Sequence, residues 1–166
     1  MSERPHRCRT WAPRGQTPVL QYHFNWKMLS AMAWVTWWNF YFRLFPGTIR
    51  SPQVIEFLVH LGHEAGDRLL VIWDGSPIHR RAEVTEFVSG TRGKVWLEAL
   101  PGYAPDLNPW DEGGWHRLKN VEMRNLVCRD LDELHQELDL AVGRLRQKPH
   151  LVRSFFAQAG LKLRGT

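Results

Sequence analysis

The chain has 166 residues, of which 43% are hydrophobic and 23% charged, a composition typical of one soluble globular domain, predicted here to span residues 1–166. No apolar run is long enough for a membrane span, and the arginine-rich start lacks the apolar core of a signal peptide, which argues against membrane and secreted classes. The net charge of +5 favours a polyanionic partner. Cys8 and Cys128 lack metal-ligand spacing, so we expect free thiols and a cytoplasmic location.

The first third of the chain predicts turns and strands. Pro13 and Gly15 favour a turn within residues 9–16. Aromatic and branched residues predict strands at residues 18–24, 27–36 and 38–45, with a tight turn at residues 25–26. Together these strands predict an antiparallel meander.

The middle of the chain alternates helix and strand. Ser51 is expected to cap a helix that has Pro52 at its first position and that ends at Gly62 or Gly66. The continuous apolar run at residues 68–73 predicts a strand that is covered on both faces. A short helix at residues 80–88 and a strand at residues 94–100 follow.

The remaining residues predict a loop at residues 101–109, followed by helices. The helices are expected at residues 111–121, from Asp130 onward and at residues 148–160. Strands followed by alternating helices and strands predict an α/β fold in which helices flank a mixed sheet. In such sheets the functional crevice lies beyond the carboxyl ends of the parallel strands, and Asp74 follows one of them.

Three carboxylates could carry chemistry. Asp74 follows the strand at residues 68–73, although an Asp-Gly dipeptide is equally typical of a simple turn. Asp111 and Glu112 follow a loop stiffened by prolines, but acids there also complement the helix dipole, and Asn108 can act as a cap. Acids held in this way suit Mg²⁺, which takes one or two carboxylates plus substrate phosphates and supports phosphoryl transfer.

The neighbouring polar residues allow two interpretations. His79 could contact phosphate or transfer a proton, but a structural role near the following helix is favoured. The tryptophans at residues 34–38 are expected to pack in the sheet rather than stack on bases. The basic residues near the acids either contact phosphate or form a solvated face; they are Arg80, Arg81, Arg92, Lys94, Arg117, Lys119 and Arg124.

Three segments together resemble the catalytic domain of DDE transposases, in the bacterial insertion-sequence branch of the mariner superfamily. The segments are RTWAPRGQTPVL, VIWDGSPIHRRAEV and LEALPGYAPDLNPWDEGGWHRLKN. The resemblance implies a ribonuclease-H-like fold and two Mg²⁺ or Mn²⁺ ions. It also implies that the substrate is DNA, nicked at transposon ends and then joined to target DNA through the freed 3′ hydroxyl.

By position, Asp74 matches the second catalytic acid of this family. The third acid of the family normally stands two positions after the proline of a Leu-Asn-Pro motif and three positions before a tryptophan. In this chain the interval from Pro109 to Trp115 is one residue longer than in that pattern. Counting forward from Pro109 selects Asp111, whereas counting back from Trp115 selects Glu112. We expect Glu112, because the helix register continues from Trp115, and Asp74 and Glu112 are therefore the predicted catalytic residues and metal ligands.

The first acid of the family stands in an Asp-Glu-Ser-Gly-like strand shortly before the RTWAPRG segment, and Glu3 does not fit that context. We therefore expect an amino-terminally truncated fragment that lacks the first strand and the helix-turn-helix domain, and that is inactive alone. One alternative is a non-catalytic remnant that binds nucleic acid or forms a homodimer through an exposed sheet edge. Another is a nuclease that acts on RNA.

Overall fold

The computed structural model describes residues 1, 5–22, 27–66, 68–102 and 104–161. Over these residues strands come first, helices and strands then alternate, and helices complete the chain. The predicted α/β class is therefore confirmed. No helix in the described ranges is long and apolar enough to cross a membrane.

The first sheet is an antiparallel hairpin. Strand β1 (Leu29–Val35) pairs along its full length with strand β2 (Phe40–Pro46). The expected third strand of the meander does not form over residues 18–22. The predicted strand extends to residue 24, and the tight turn was expected at residues 25–26. Residues 23–26 lie outside the described residues.

The second sheet is a parallel pair. Strand β3 (Leu69–Trp73) pairs with strand β4 (Val95–Ala99), and the connection contains a 3₁₀ turn (Pro77–Arg80) and helix α2 (Ala82–Gly90). The sequence predicted one mixed sheet, but the described strands form two separate two-stranded sheets. The prediction was wrong on this point, because no described strand joins β1 to β3.

Helix α1 (Ser51–Ala65) packs against the parallel pair through an apolar face. Its N-cap is Arg50 rather than the predicted Ser51, because the Arg50 N–H donates to Oε1 of Gln53 at 3.0 Å. The helix ends at Gly66, whose φ of 93° favours glycine. The end at Gly66 was one of the two predicted.

Strand β3 is covered on one face only. Leu69 and Val71 are buried in the cluster that contains α1. On the other face Leu70 is 58% exposed and Ile72 is 61% exposed. The prediction that both faces are covered was therefore wrong, since an apolar run does not show whether a second layer lies over it.

The carboxyl-terminal part is helical and packs on the hairpin in a second apolar cluster. The Asp130 side chain accepts a hydrogen bond from the Glu133 N–H at 2.8 Å and caps the longest of these helices, as predicted. The elements are a first π segment (Trp110–Trp115), a second π segment (Leu118–Glu122), helix α3 (Leu131–Arg146) and helix α4 (Pro149–Gln158).

Candidate active site

Asp74 lies directly after β3, at the carboxyl end of the parallel pair. Its Oδ1 accepts a hydrogen bond from the Ser76 N–H at 2.9 Å, which is the local turn typical of an aspartate followed by glycine. The side chain is still 56% exposed and lines the groove between the two sheets. Asp74 is thus a turn former whose carboxylate remains open to a ligand.

His79 packs against the end of β3. Its ring stacks on Trp73, with centroids 4.1 Å apart and planes 9° apart. Nδ1 lies 3.1 Å from Oδ1 of Asp74 and 3.2 Å from the Asp74 carbonyl oxygen. His79 therefore positions the Asp74 carboxylate, a structural role of the kind that the sequence favoured.

Asp111 reaches the same groove from the first π segment. Oδ2 of its half-buried carboxylate accepts a hydrogen bond from Nδ2 of Asn108 at 2.8 Å. Oδ1 of Asn108 also accepts from the Trp110 N–H at 3.1 Å. The N-cap of the segment is Pro109 rather than Asn108, but Asn108 accepts from the first N–H of the segment and orients the Asp111 carboxylate, which sequence reasoning missed.

The electrostatics of Asp111 show that the two aspartates interact. Burial raises the pKa of Asp111, and the negative charges of Asp74 and Glu112 raise it further, against the lowering effect of the Asn108 hydrogen bond. Like charges disfavour the ionised form of a carboxyl group only when they are close. Asp74 and Asp111 both line this groove, and the charge of Asp74 opposes ionisation of Asp111.

Glu112 lies elsewhere. Its side chain is exposed and is not among the residues that line the groove with Asp74 and Asp111. The geometry thus favours Asp111, the acid selected by the forward count, over the expected Glu112. Which of the two acids holds a metal remains a prediction.

The π-helical geometry accounts for the conflict between the two counts. A π turn closes with an i→i+5 hydrogen bond and therefore takes one more residue than an α turn. The segment Trp110–Trp115 has this geometry, so the additional residue is absorbed within the helix. Asp111 keeps its distance from Pro109, whereas the residues after it are displaced by one position.

Two glycines allow the first π segment to pack closely. A Cβ atom on Gly113 would lie 2.1 Å from Cδ1 of Phe155, and one on Gly114 would lie 2.4 Å from the Trp110 ring. Both glycines are buried. Any larger side chain there would force the segment away from α4 or displace the Trp110 ring.

Two carboxylates, those of Asp74 and Asp111, line the groove. No group of three His, Cys, Asp or Glu side chains that could hold a metal occurs among the described residues. Asp74 and Asp111 remain as a carboxylate pair in a groove of about 780 Å³. A divalent cation is compatible with this pair, because it takes oxygen ligands and would favour the ionised form of Asp111, whose pKa is raised first by burial and then by the charge of Asp74.

The basic residues near the acids do not form one set. Nε of Arg117 lies 3.5 Å from Oε1 of Glu122, and Nζ of Lys119 lies 5.3 Å from the centroid of the Trp115 ring. Both contacts are internal to the protein. The others are exposed, as either a phosphate contact or a solvated face requires; they are Arg80, Arg81, Arg92, Lys94 and Arg124.

The prediction that the tryptophans at residues 34–38 pack in the sheet is confirmed for Trp34, whereas Trp37 packs on a helix from outside the strand and Trp38 is 67% exposed. Trp34 stacks on Tyr41 with centroids 5.2 Å apart. Trp37 contacts Phe156 edge to face at 5.3 Å.

The chain is similar to known proteins in sequence and in fold. A family model described as DDE superfamily endonuclease matches residues 1–135. Among solved structures, the Mos1 transposase paired-end complex with left transposon end has a TM-score of 0.67 at 17% identity, over 93% of this chain and 48% of that chain. The Mos1 mariner paired end complex with Mn has a TM-score of 0.60 at 21% identity, over 97% of this chain and 53% of that chain.

The catalytic domain of Mos1 mariner transposase is also similar, with a TM-score of 0.54 at 20% identity, over 87% of this chain and 80% of that chain. No curated protein matches. The chain spans about half the length of the Mos1 chains in the two complexes, 48% and 53%. The likeness to these structures shows the fold, which is ribonuclease-H-like as predicted. Because the family match covers residues 1–135 of 166, the chain belongs to the DDE endonuclease superfamily.

Proposed function

We propose that this chain is the metal-binding core of a transposase that cleaves DNA at transposon ends, with Asp74 and Asp111 as its carboxylate ligands. The observation that carries the proposal is the convergence of these two acids beyond the carboxyl end of β3, where the charge of one raises the pKa of the other. The family match supports endonuclease chemistry. The similar Mos1 structures include complexes with a transposon end and with Mn, which supports DNA as the partner and Mg²⁺ or Mn²⁺ as the cofactor.

Each residue of the groove has a separate task in this proposal. Asp74 and Asp111 hold the cation, which when bound polarises a phosphoryl oxygen and lowers the pKa of water. Asn108 fixes the Asp111 carboxylate through its amide at 2.8 Å. His79 fixes Asp74 from the other side, and its own position is set by stacking on Trp73.

The proposal includes inactivity of residues 1–166 alone in strand transfer. A site with two metal ions normally uses at least three acids, and the groove contains two. The family's first acid, expected before the RTWAPRG segment, has no match in the sequence. Assignment to the bacterial insertion-sequence branch and a cytoplasmic location belong to the same proposal.

A binding and nicking assay tests this function. With end-containing duplex DNA we expect Mn²⁺ to strengthen binding to the unsubstituted chain, because a cation held by Asp74 and Asp111 can also take phosphate oxygens. D74N should lose this metal-dependent gain, while D106N, which changes an exposed acid in the segment that precedes Asp111, should keep it. Binding unaffected by Mn²⁺ would overturn the metal-site proposal, and efficient Asp74-dependent nicking by residues 1–166 would overturn the proposed inactivity.

A second candidate function is a remnant that binds nucleic acid or forms a homodimer without catalysis. The observation in its favour is that β1 and β3 each have an edge without a described partner strand, and such edges pair readily with other chains. Exposed arginines supply a surface for phosphate. DNA binding that weakens with salt but does not change with Mn²⁺ would favour this candidate over the metal-dependent transposase.

A further inference from the structure

Three basic side chains meet around one buried carboxylate, where the second π segment and α3 lie close to the start of α4. The carboxylate belongs to Glu122, whose side chain is 6% exposed. Its Oε1 lies 3.5 Å from Nε of Arg117 and 3.4 Å from Nζ of Lys148. Its Oε2 accepts a hydrogen bond from Nε of Arg144 at 2.9 Å. We call Arg117, Arg144 and Lys148 the basic junction.

The basic junction carries more positive charge than Glu122 neutralises. In the ranges that the structure describes, Glu122 is the carboxylate paired with each of its three members, and no second carboxylate pairs with any of them. No Asp or Glu follows Asp139 in the sequence, while Arg146 and Arg153 add further positive charge to the same stretch. The excess of cations favours an anion supplied from outside the protein.

The three cations are accessible from solvent, in contrast to the carboxylate that they share. The side chains of Arg144, Lys148 and Arg117 are 44%, 37% and 32% exposed. An ammonium has three hydrogen-bond donors and a guanidinium has five, so one carboxylate occupies only part of this set. The exposed donors can therefore bind a second anion while Glu122 stays in place.

Stability of the helices explains only part of this arrangement. Arg144 lies in the last turn of α3, where a cation complements the helix dipole. Lys148, however, is the N-cap of α4, and the first turn of α4 contains no acid. A cation is unfavourable at that end of a helix. The position of Lys148 is therefore not explained by the stability of α4.

We propose that the basic junction binds one backbone phosphate of duplex DNA, independently of the base sequence. Arginine and lysine are common partners of phosphate oxygens in protein–DNA contacts. Glu122 orders the three side chains in advance, which reduces the entropy lost on binding. None of the three is among the residues that line the groove of Asp74 and Asp111, so this contact fixes the duplex and holds no metal. The choice of DNA as the polyanion rests on the proposed function.

The test measures the affinity for a DNA duplex over a range of salt concentrations, with EDTA present so that no divalent cation contributes. K148Q should weaken binding by about 10-fold at about 0.1 M salt, and should reduce the slope of log affinity against log salt by about 1, because one phosphate contact is lost. R68Q is the matched control. It removes an exposed arginine just before β3, at the opposite end of the strand from Asp74, and should leave the slope unchanged.

E122Q separates DNA binding from stability. It removes the carboxylate that the three cations share and should destabilise the fold, yet it should bind DNA at least as tightly as the unsubstituted chain, because the cations gain free donors. Adding K148Q to E122Q removes a cation without leaving a buried carboxylate short of partners, and should again reduce the slope by about 1. An unchanged slope in K148Q and in the double variant would overturn the proposal, as would a loss of affinity in E122Q as large as that in K148Q.

A competition arm distinguishes a DNA phosphate from a free anion. Inorganic phosphate added at constant ionic strength should displace little DNA from the unsubstituted chain. Displacement from the unsubstituted chain but not from K148Q would assign the basic junction to a free anion and overturn the DNA assignment. The binding of Mn²⁺ to Asp74 and Asp111 is measured separately, so a failure of this inference is distinguishable from a failure of the proposed function.

Discussion

In the proposed function, His79 orients a metal ligand, Asp74, without itself being a metal ligand. Its ring is held between the Trp73 face, at 4.1 Å, and the Asp74 carboxylate, at 3.1 Å. Only 15% of the side chain is exposed. Residues that hydrogen-bond to metal ligands tune affinity by fixing the orientation of the ligand atoms.

We expect H79A to weaken Mn²⁺ binding by about 10- to 100-fold, the usual effect of losing such a partner. Calorimetric titration gives the affinity directly. The control is H60A, which removes an exposed histidine of α1. An unchanged affinity in H79A would show that Asp74 needs no support from the ring.

Glu122 is a carboxylate held by cations. Its side chain is 6% exposed and lies 2.9 Å from Nε of Arg144, 3.4 Å from Nζ of Lys148 and 3.5 Å from Nε of Arg117. Burial alone would raise the pKa of Glu122, but hydrogen bonds and charges from Arg144 and Lys148 outweigh it, and the pKa is lowered. These contacts tie the second π segment to α3 and to the residue that precedes α4.

The lowered pKa of Glu122 predicts a pH dependence of stability. A carboxyl group whose folded pKa is depressed stabilises the protein above its unfolded pKa of about 4.3, and the contribution is lost as pH falls through the folded pKa. E122Q should therefore lower the free energy of unfolding by about 1–3 kcal/mol at pH 7, with a smaller difference at pH 3. Urea unfolding measures the free-energy difference at each pH, and E86Q, at an exposed site, is the control. A deficit that stays constant from pH 7 to pH 3 would refute the ionic explanation.

At the scale of elements, the first π segment depends on its glycines. Gly113 faces the buried Phe155 ring at a distance that leaves no room for a methyl group. G113A should lower the free energy of unfolding by about 1–3 kcal/mol, the usual cost of overpacking. G143A is the matched control, because a Cβ there meets nothing within 4 Å. If urea unfolding shows that G113A and G143A lower the free energy of unfolding by similar amounts, the close contact at Gly113 is relieved without a cost in stability.

Elements with local signals could be predicted from the sequence. Pro52 and Gly66 mark α1, and Asp130 caps α3 as expected. The π geometry could not be predicted, because it depends on how Gly113 packs against a distant helix. For the same reason the residue count alone left both Asp111 and Glu112 as candidates. In the structure Asp111 lines the groove with Asp74 and Glu112 does not, and the choice of metal ligand stays a prediction.

At the scale of the molecule, the hairpin connects two apolar cores. Phe40 is buried in the core of α3 and α4, while Met32 and Trp34 pack against the core of α1. The order of elements was sufficient to predict the α/β class and the position of Asp74 at a strand end. It could not show that the strands divide into two sheets, because pairing depends on which strand lies between β1 and β3.

This division also explains the exposed residues of β3. Leu70 and Ile72 belong to an apolar run that predicts a central strand, yet more than half of each is exposed. The apolar run alone therefore did not show that this face of β3 is exposed.

The central claim is that Asp74 and Asp111 form the cation site. Its most direct test is a calorimetric Mn²⁺ titration of the unsubstituted chain, D74N, D111N and E112Q. The account predicts that D74N and D111N each lose measurable binding, while E112Q, whose side chain lies outside the groove, binds within about threefold of the unsubstituted chain, or about 0.7 kcal/mol. Loss of binding in E112Q together with full binding in D111N would contradict the account.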